Sequence, residues 1–407
     1  MQPILKGLRI VEGSAFIAAP MCGMTLAQLG ADVIRFDQIG GGIDYHRWPV
    51  TANNTSIYWA EMNKGKRSFA VDLQAPAGQE LVTALICAGD ADGGIFSTNL
   101  PARGWLDYER LRRSRPDLIQ HEIVGDRHGA SALDYTVNAK VGFPQITGPE
   151  DDDRPVNHVL PAWDIATAYH AAIDILAAER HRRLTGEGQR IRLALADVAL
   201  AAVGHLGYIG ELKINHETRA RNGNYLYGAL GRDFVTADGQ RVMLIAVSAK
   251  QWQGLLQATG LTAEVAALAA RLRLDFAGEG DRFRARRELC ALLEPWFAAR
   301  PLAALVPVFE QCGICWDKYQ SVRELVENDR DCSPDNPIFA NIEQPGIGTY
   351  PVAGGAMHFS TIARSPPRPA PRVGQHTDEI LADLLGLDSS AIGRLHDQGV
   401  VAGPEQQ

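Results

Sequence analysis

The first part of the chain alternates short apolar runs with amphipathic stretches, which is the pattern of repeated β-α units. Apolar runs at 8–12 and 32–36 predict strands, and the Ala-rich stretch 18–29 between them predicts a helix that ends at Gly30. The same pattern predicts strands at 69–73, 94–98, 118–124 and 189–193, and helices at 77–87 and 197–212. Because such units build a parallel sheet, we predict an α/β fold with a Rossmann-like large domain. Its ligands are expected at the carboxyl ends of the strands.

The pattern changes after residue 220. The polar, Gly-containing segment 219–224 is typical of a linker, and it precedes two predicted strands and a largely helical stretch. This part predicts a smaller α+β domain. A strand-like run and a final helix near the C-terminus predict a return to the large domain. The predicted divisions are 1–220 for the N-terminal part of the large domain, 225–335 for the small domain and 336–407 for the returning segment.

Several common cofactor motifs are absent from the sequence. The turn after the first strand lacks GxGxxG, so nicotinamide or flavin binding is not expected. HExxH, GxSxG and P-loop motifs are also absent, and the histidines lack metal-ligand spacing. Residues 312–315 spell CxxC without a second pair, which we interpret as a turn of small residues. The sequence therefore predicts no metal site and no permanently bound cofactor.

The composition and net charge of the chain limit the kinds of partner that it is expected to bind. The formal net charge of −8 does not favour nucleic acid, and no apolar run reaches the ~20 residues of a membrane span. The N-terminus lacks the pattern of a signal peptide. Six scattered cysteines in a chain of 407 residues are typical of reduced thiols. We therefore predict a cytoplasmic location, with no nucleic-acid and no membrane partner.

One carboxylate is a candidate for chemistry. Pro161 suits the first turn of a long Ala-rich helix, and Asp164 then falls in that turn. Free backbone N–H groups and the helix dipole favour a carboxylate there. Asp164 is either an ordinary helix-start aspartate or a nucleophile, because a carboxylate can attack an activated acyl group to give a mixed anhydride.

Several segments, spread in order over nearly the whole chain, resemble family-III CoA-transferases of the CaiB/BaiF type. They are LKGLRIV at 5–11, LAQLGADVIR at 26–35, NKGKRS at 63–68 and PAPRVGQHT at 369–377. The resemblance implies an aspartate nucleophile at Asp164 and a second active-site carboxylate at Asp134. It also implies an interlocked homodimer that binds CoA only as part of its acyl-CoA substrate.

The resemblance also implies a set of binding residues. Positions expected to contact CoA are Ile17, Ala18, Arg35, Asp72, Leu73, Asn99, Leu100 and Arg103. The segments 45–50 and 221–228 are similar to a branch of the family that moves CoA between the two carboxylates of one diacid, mesaconate. Within this branch, His46, Arg47 and Tyr135 are the expected substrate-binding residues, although His46 and Arg47 also fit a purely structural loop.

The sequence leaves three other functions open. The chain could transfer CoA between separate acids, or it could be a CoA-binding protein without activity. An acyl-CoA racemase of the same fold is a weaker alternative, because those enzymes use a histidine beside the upstream acidic position. Here Leu133 is that neighbour, and His128 lies several residues away.

Overall fold

The structure is a computed structural model that describes residues 3–89 and 91–404. The chain forms two compact units. The larger unit takes in the chain up to Val141, then Val159–Gly207, then everything from Asp329 onward. The smaller unit consists of Gly142–His158 and Tyr208–Asn328.

Strands and helices alternate in the larger unit. Over the described chain the strands are β1 (Arg9–Gly13), β2 (Asp32–Asp37), β3 (Arg67–Val71), β4 (Ile95–Thr98), β5 (Ile119–Val124), β6 (Gln189–Ala194), β7 (Leu230–Val235), β8 (Arg241–Ala246), β9 (Cys315–Lys318), β10 (Phe339–Gln344), β11 (Gly348–Ala353) and β12 (Val401–Ala402). The helices are α1 (Ala18–Gln28), α2 (Ile57–Met62), α3 (Pro76–Cys87), α4 (Tyr108–Ser114), α5 (Asp134–Lys140), α6 (Phe143–Ile146), α7 (Ala162–Thr185), α8 (Leu195–His205), α9 (Tyr208–Gly210), α10 (Ala249–Thr259), α11 (Thr262–Leu272), α12 (Glu279–Arg284), α13 (Arg286–Ala298), α14 (Leu302–Cys312), α15 (Val322–Asn328), α16 (Thr377–Leu385) and α17 (Ser389–Asp397).

The central sheet of the larger unit has seven strands in the order β12-β3-β2-β1-β4-β5-β6. Strands β1 to β6 pair in parallel, and β12 is an antiparallel edge strand next to β3. From β1 the chain adds β2 and β3 on one side and then β4, β5 and β6 on the other, so the strand order reverses between β1 and β4. In such folds, ligands bind in the crevice outside the carboxyl ends of the strands at that point. The predicted Rossmann-like sheet is confirmed.

Each face of the sheet is covered by helices. Small residues of α1 and α7 pack on one face, and Ala19, Ala168 and Ala171 are fully buried there. Helices α3, α4, α16 and α17 cover the other face against Phe36 and Phe96. The segment from Asp329 onward belongs to the large unit, and helices cover both faces of its sheet.

The smaller unit is an antiparallel sheet with helices. Strands β7, β8 and β9 pair in that order, and the apolar faces of α10, α13 and α14 pack on them. Phe234 and Phe297 stack at 4.3 Å between ring centroids in this core. The prediction of a small α+β domain is therefore confirmed.

The unit boundaries differ from the predicted ones in two places. The large unit gives way to the small one at Gly207, not at 220, and the small unit also contains Gly142–His158. The guanidinium of Arg221 explains the second difference, because it donates to the backbone carbonyls of Gln145 at 2.8 Å and Asp153 at 3.2 Å. A side chain some seventy residues away thus binds this segment, and no local pattern reports such a contact.

Among the described residues, no single helix is long and apolar enough to cross a membrane. The consecutive helical segments Leu195–His205 and Tyr208–Asn215 meet the requirements of length and composition only when they are taken as a pair.

Candidate active site

The N-terminus of α7 is capped by a carboxylate from a different helix. Pro161 at the cap position offers no side-chain hydrogen bond. Instead, Oδ2 of Asp134 accepts hydrogen bonds from the backbone N–H of Trp163 at 2.7 Å and of Asp164 at 3.0 Å. Asp134 is 2% exposed and is the first residue of α5. The two helix starts therefore meet, and each presents a carboxylate where the helix dipoles favour negative charge.

Asp164 is a carboxylate with altered acidity. Burial raises the pKa of its carboxyl to about 6, and the charge of Asp134 acts in the same direction. The positive charge of Arg47 partly opposes this rise in the pKa. Asp164 is thus still mostly ionised at neutral pH, yet it is more basic than an ordinary aspartate. A partly desolvated, ionised carboxylate of this kind is suited to nucleophilic attack.

Arg47 lies beside two aromatic rings. It follows the 3-10 turn Ile43–His46, and its guanidinium carbon is 5.1 Å from the ring centroid of Phe16 and 5.1 Å from that of Tyr58. Burial raises the pKa of Tyr58, and the charges near its ring include both Arg47 and Asp164. The structure therefore places the predicted cation in the electrostatic neighbourhood of the predicted nucleophile.

The loop after β1 is held by a buried aspartate. Phe16 has φ 66°, in the left-handed region that a bulky residue rarely adopts. Its N–H donates to Asp44 at 2.8 Å, and its carbonyl accepts from the Tyr58 hydroxyl at 2.7 Å. Phe16, Asp44 and Tyr58 are not among the residues that the sequence predicts. The only local signal is a lone aromatic residue next to a Gly-Ser-Ala turn.

Arg35 belongs to a buried ion cluster. Its side chain is 1% exposed and bonds to Asp37 at 3.0 Å, to Asn63 at 3.2 Å and to the Ser14 carbonyl at 2.9 Å. Asp44 lies 3.6 Å from the same guanidinium. The structure therefore does not support the prediction that Arg35 contacts CoA, because carboxylates and carbonyls enclose it. Its position instead stabilises the turn that carries Phe16.

Asn99 joins the ends of β1 and β4. Its side-chain oxygen accepts from the N–H of Ala15 at 2.9 Å, and its amide donates to the Ala15 carbonyl at 2.7 Å. The same loop leads into α1, where Ile17 is the cap residue and Ala18 the first helical residue. Ala18 is buried, with 4% of its surface exposed. These predicted residues do meet at the reversal point of the sheet.

The other predicted CoA positions lie at the same carboxyl edge of the sheet. Asp72 and Leu73 directly follow β3, and Gln38 at the end of β2 binds both of them. The pKa of Asp72 is lowered by the backbone N–H of Gln74. Leu100 and the exposed Arg103 follow β4.

Two predicted substrate residues are at the surface. His46 is exposed, and its ring meets Tyr45 edge-on at 5.2 Å. Tyr135 is also exposed, and its hydroxyl donates to the Val159 carbonyl at 3.2 Å, shortly before α7. The structure thus brings Tyr135 to the segment that precedes the nucleophile.

The part of the chain that the structure describes has no group of three His, Cys, Asp or Glu side chains arranged to hold a metal ion. Residues 312–315 form a turn, as predicted: Cys312 ends α14, Gly313 follows with φ 63°, and Cys315 begins β9. All six cysteines are free thiols.

The chain belongs to CoA-transferase family III, whose family model matches residues 5–377. It is 59% identical over 407 residues, covering 100% of both chains, to 2-methylfumaryl-CoA isomerase of Chloroflexus aurantiacus. It is also 28% identical to succinyl-CoA:mesaconate CoA-transferase of Haloarcula marismortui, over 95% of this chain and 97% of that protein. The predicted family is confirmed, and the protein is an enzyme of the CoA-transferase class.

Solved structures agree with this fold. A CAIB/BAIF family protein from Brucella suis aligns with a TM-score of 0.74 at 24% identity, over 94% of this chain and 100% of that one. A second similar structure, from Mycobacterium tuberculosis, aligns with a TM-score of 0.73 at 22% identity, over 93% of this chain and 98% of that one.

Proposed function

We propose that the protein converts 2-methylfumaryl-CoA to 3-methylfumaryl-CoA by moving CoA between the two carboxylates of mesaconate. The observation that carries this proposal is the carboxylate of Asp164, which is half-buried at a helix start and has its pKa raised to about 6. The choice of substrate is supported by the 59% identity, over the full chain, to a relative named 2-methylfumaryl-CoA isomerase.

The first half of the reaction transfers CoA to the protein. The Asp164 carboxylate attacks the thioester carbonyl at carbon one, the C–S bond breaks, and the CoA thiolate leaves behind an aspartyl–mesaconyl anhydride. The thiolate then attacks the aspartyl carbonyl of that anhydride. The bond between the aspartyl carbonyl carbon and the bridging oxygen breaks, and the oxygen leaves as part of the mesaconate carboxylate, giving an aspartyl–CoA thioester and bound mesaconate.

The second half returns CoA to the other end of the diacid. The carbon-four carboxylate of mesaconate attacks the aspartyl thioester, and the thiolate leaves again. Attack of the thiolate on carbon four of the new anhydride gives the product and restores the Asp164 carboxylate. One thioester replaces another, so the sequence consumes no ATP and no oxidant. Bound mesaconate has a high effective concentration, which favours its second carboxylate over free acids.

Charged and polar groups around Asp164 have separate roles in this scheme. Asp134 fixes the backbone of the nucleophile through two hydrogen bonds and keeps its carboxylate basic. Arg47 is the cation for the free carboxylate of the diacid, since guanidinium pairs well with carboxylate geometry. Tyr135 and His46 are the further substrate-side candidates. The CoA moiety would lie over the loops that carry Ile17, Ala18, Asp72, Leu73, Asn99, Leu100 and Arg103.

We also propose that the working form is an interlocked homodimer, as the family resemblance implies. Apolar side chains on α7 support a protein partner for this helix, because Tyr169, Ile173 and Leu184 are 47%, 62% and 71% exposed. Exposed apolar side chains grouped on one element are typical of protein interfaces.

The test is to incubate the purified protein with 2-methylfumaryl-CoA and no other acid. Chromatography and mass spectrometry should show its conversion to the isomeric thioester of equal mass. Hydroxylamine added during turnover should modify Asp164 and no other carboxylate, since only an activated aspartyl group reacts. Complete dependence of thioester exchange on an added free acid would instead establish transfer between separate acids.

A further inference from the structure

The backbone of Arg47 is fixed on both sides of its Cα. Its N–H donates to the carbonyl of Asp44 at 3.2 Å, which closes the 3-10 turn. Its carbonyl accepts from the hydroxyl of Ser56 at 2.6 Å. That hydroxyl oxygen also accepts from the N–H of Trp59 at 3.0 Å and so caps α2. The residue is thereby attached to one helix start and one tight turn.

The side chain of Arg47 is fixed as well. The rings of Phe16 and Tyr58 both lie 5.1 Å from its guanidinium carbon, and a hydrogen bond of 2.7 Å between the Tyr58 hydroxyl and the Phe16 carbonyl ties the two ring-bearing residues together. The Phe16 backbone is in turn bound to Asp44. Contact with aromatic faces attracts a guanidinium yet leaves its N–H groups free for an anion.

We propose that Phe16 and Tyr58 are positioning residues that hold the Arg47 guanidinium as a preorganised anion clamp, which retains mesaconate between departure and return of CoA. This inference rests on the proposed function. It goes beyond the assignment of Arg47 to the free carboxylate of the substrate. Here the two aromatic side chains fix the guanidinium in place, and this is why one cation can hold a small diacid. The buried Asp44 accepts from the N–H of Phe16 at 2.8 Å and lies 3.6 Å from the guanidinium of Arg35, and the charge of Arg47 also acts to lower its pKa.

Retention matters at one point of the reaction. When CoA is bound to Asp164, the diacid is held only by non-covalent contacts and either attacks again or escapes. A mobile arginine would lose side-chain entropy each time it bound the anion, whereas a fixed one has already lost it. Loosening the clamp should therefore raise the ratio of escape to recapture. This ratio does not depend on how much folded enzyme a preparation contains.

The experiment measures escape directly. Wild-type and variant enzymes convert unlabelled 2-methylfumaryl-CoA in the presence of excess isotope-labelled mesaconate, and the label in the thioester product is counted per turnover. Tyr58→Leu and Phe16→Leu each remove one ring, and Arg47→Lys keeps the charge without the planar group. Each should raise label per turnover by about tenfold over wild type. Tyr58→Phe keeps the ring and should raise it less.

The matched control is Tyr108→Leu. The Tyr108 ring also lies beside an arginine, with the Arg112 guanidinium carbon at 5.9 Å, but both residues belong to α4 and neither is part of the clamp. This substitution should leave label per turnover unchanged even if it lowers stability. Wild-type label incorporation in the variants that lose a ring, whatever their rate, would overturn the clamp while leaving the proposed function intact. Label entering the wild type at every turnover would overturn the proposed function and the clamp with it.

Discussion

The acidity of Asp164 is set in part by its neighbour Asp134, and this coupling can be measured. The ionised carboxylate is the nucleophile, so kcat/KM should rise with pH, with an inflection near the pKa of about 6, and level off above about pH 7. Asp134→Asn removes a charge that raises the pKa of Asp164, while its side-chain oxygen can still accept a backbone N–H. The inflection in the pH profile of kcat/KM should therefore move to lower pH in this variant.

A control separates the charge effect from the loss of a helix cap. Asp107 caps α4 by accepting from the N–H of Arg110 at 3.2 Å. Asp107→Asn makes the same chemical change at a different helix start and should leave the inflection unchanged. An inflection at the same pH in wild type and in Asp134→Asn would contradict the coupling.

A second prediction at this scale concerns stability. The folded-state pKa of Asp164 lies above the ordinary value of 3.8, so the folded protein favours the protonated form. Its ionisation therefore lowers stability as pH rises from about 4 to about 6. Asp164→Asn should abolish isomerisation yet raise the free energy of unfolding at pH 7, on the order of 1–2 kcal/mol. Near pH 4 the difference should vanish. Denaturant unfolding at both pH values tests this, and a less stable variant at pH 7 would contradict it.

Local and long-range features of the site differ in how far the sequence reveals them. Asp164 can be located from the sequence because Pro161 and an Ala-rich run mark a helix start. The capping role of Asp134 cannot, because the contact joins residues thirty positions apart. The same holds for Tyr58, which binds the Phe16 carbonyl across 42 residues. The prediction that Arg35 contacts CoA comes from the family resemblance, whereas the groups that enclose its guanidinium include Asn63 and the Ser14 carbonyl, which are distant in the sequence.

At the scale of elements, close packing of α1 on the sheet gives a test. A Cβ at Gly23 would lie 1.7 Å from Oε2 of Glu12 on β1, a buried carboxylate that pairs with Lys66 at 2.7 Å and lies 4.0 Å from Arg35. Gly23→Ala should therefore displace α1 and lower stability by about 1–3 kcal/mol or more. Thermal unfolding measures the loss, and activity should fall because α1 follows the Phe16 loop.

The matched control is a glycine in another helix. A Cβ at Gly393 in α17 would meet no atom within 4 Å, and its backbone is helical. Gly393→Ala should raise stability by about 0.5–1 kcal/mol through helix propensity. Equal effects of the two substitutions would show that α1 is not packed against Glu12 as described.

The hydrophobic pattern predicts most elements of the sheet because buried parallel strands and their helices have distinct periods. The predicted runs at 32–36 and 118–124 agree with β2 and β5 to within one residue at each end. The helix predicted at 197–212 instead ends at His205, and Gly207 follows with φ 85°. A single glycine inside an apolar run does not decide between a tolerated residue and a break.

At the scale of the whole molecule, the proposed interlocked homodimer predicts unusual behaviour on dilution. If each chain threads the other, the subunits cannot part without unfolding, so the apparent mass should stay dimeric at any concentration that keeps the protein folded. Light scattering and analytical ultracentrifugation over a wide range of dilution test this. A folded monomer at low concentration would contradict threading.

The central claim is that CoA leaves and returns to the same mesaconate. The most direct test is a double-label crossover, in which the enzyme converts a mixture of two substrates. One carries a heavy mesaconyl group on ordinary CoA, and the other an ordinary mesaconyl group on heavy CoA. Transfer within one bound substrate predicts an isomeric product with only the two parental masses. Products of mixed mass, formed as fast as isomerisation, would contradict the account.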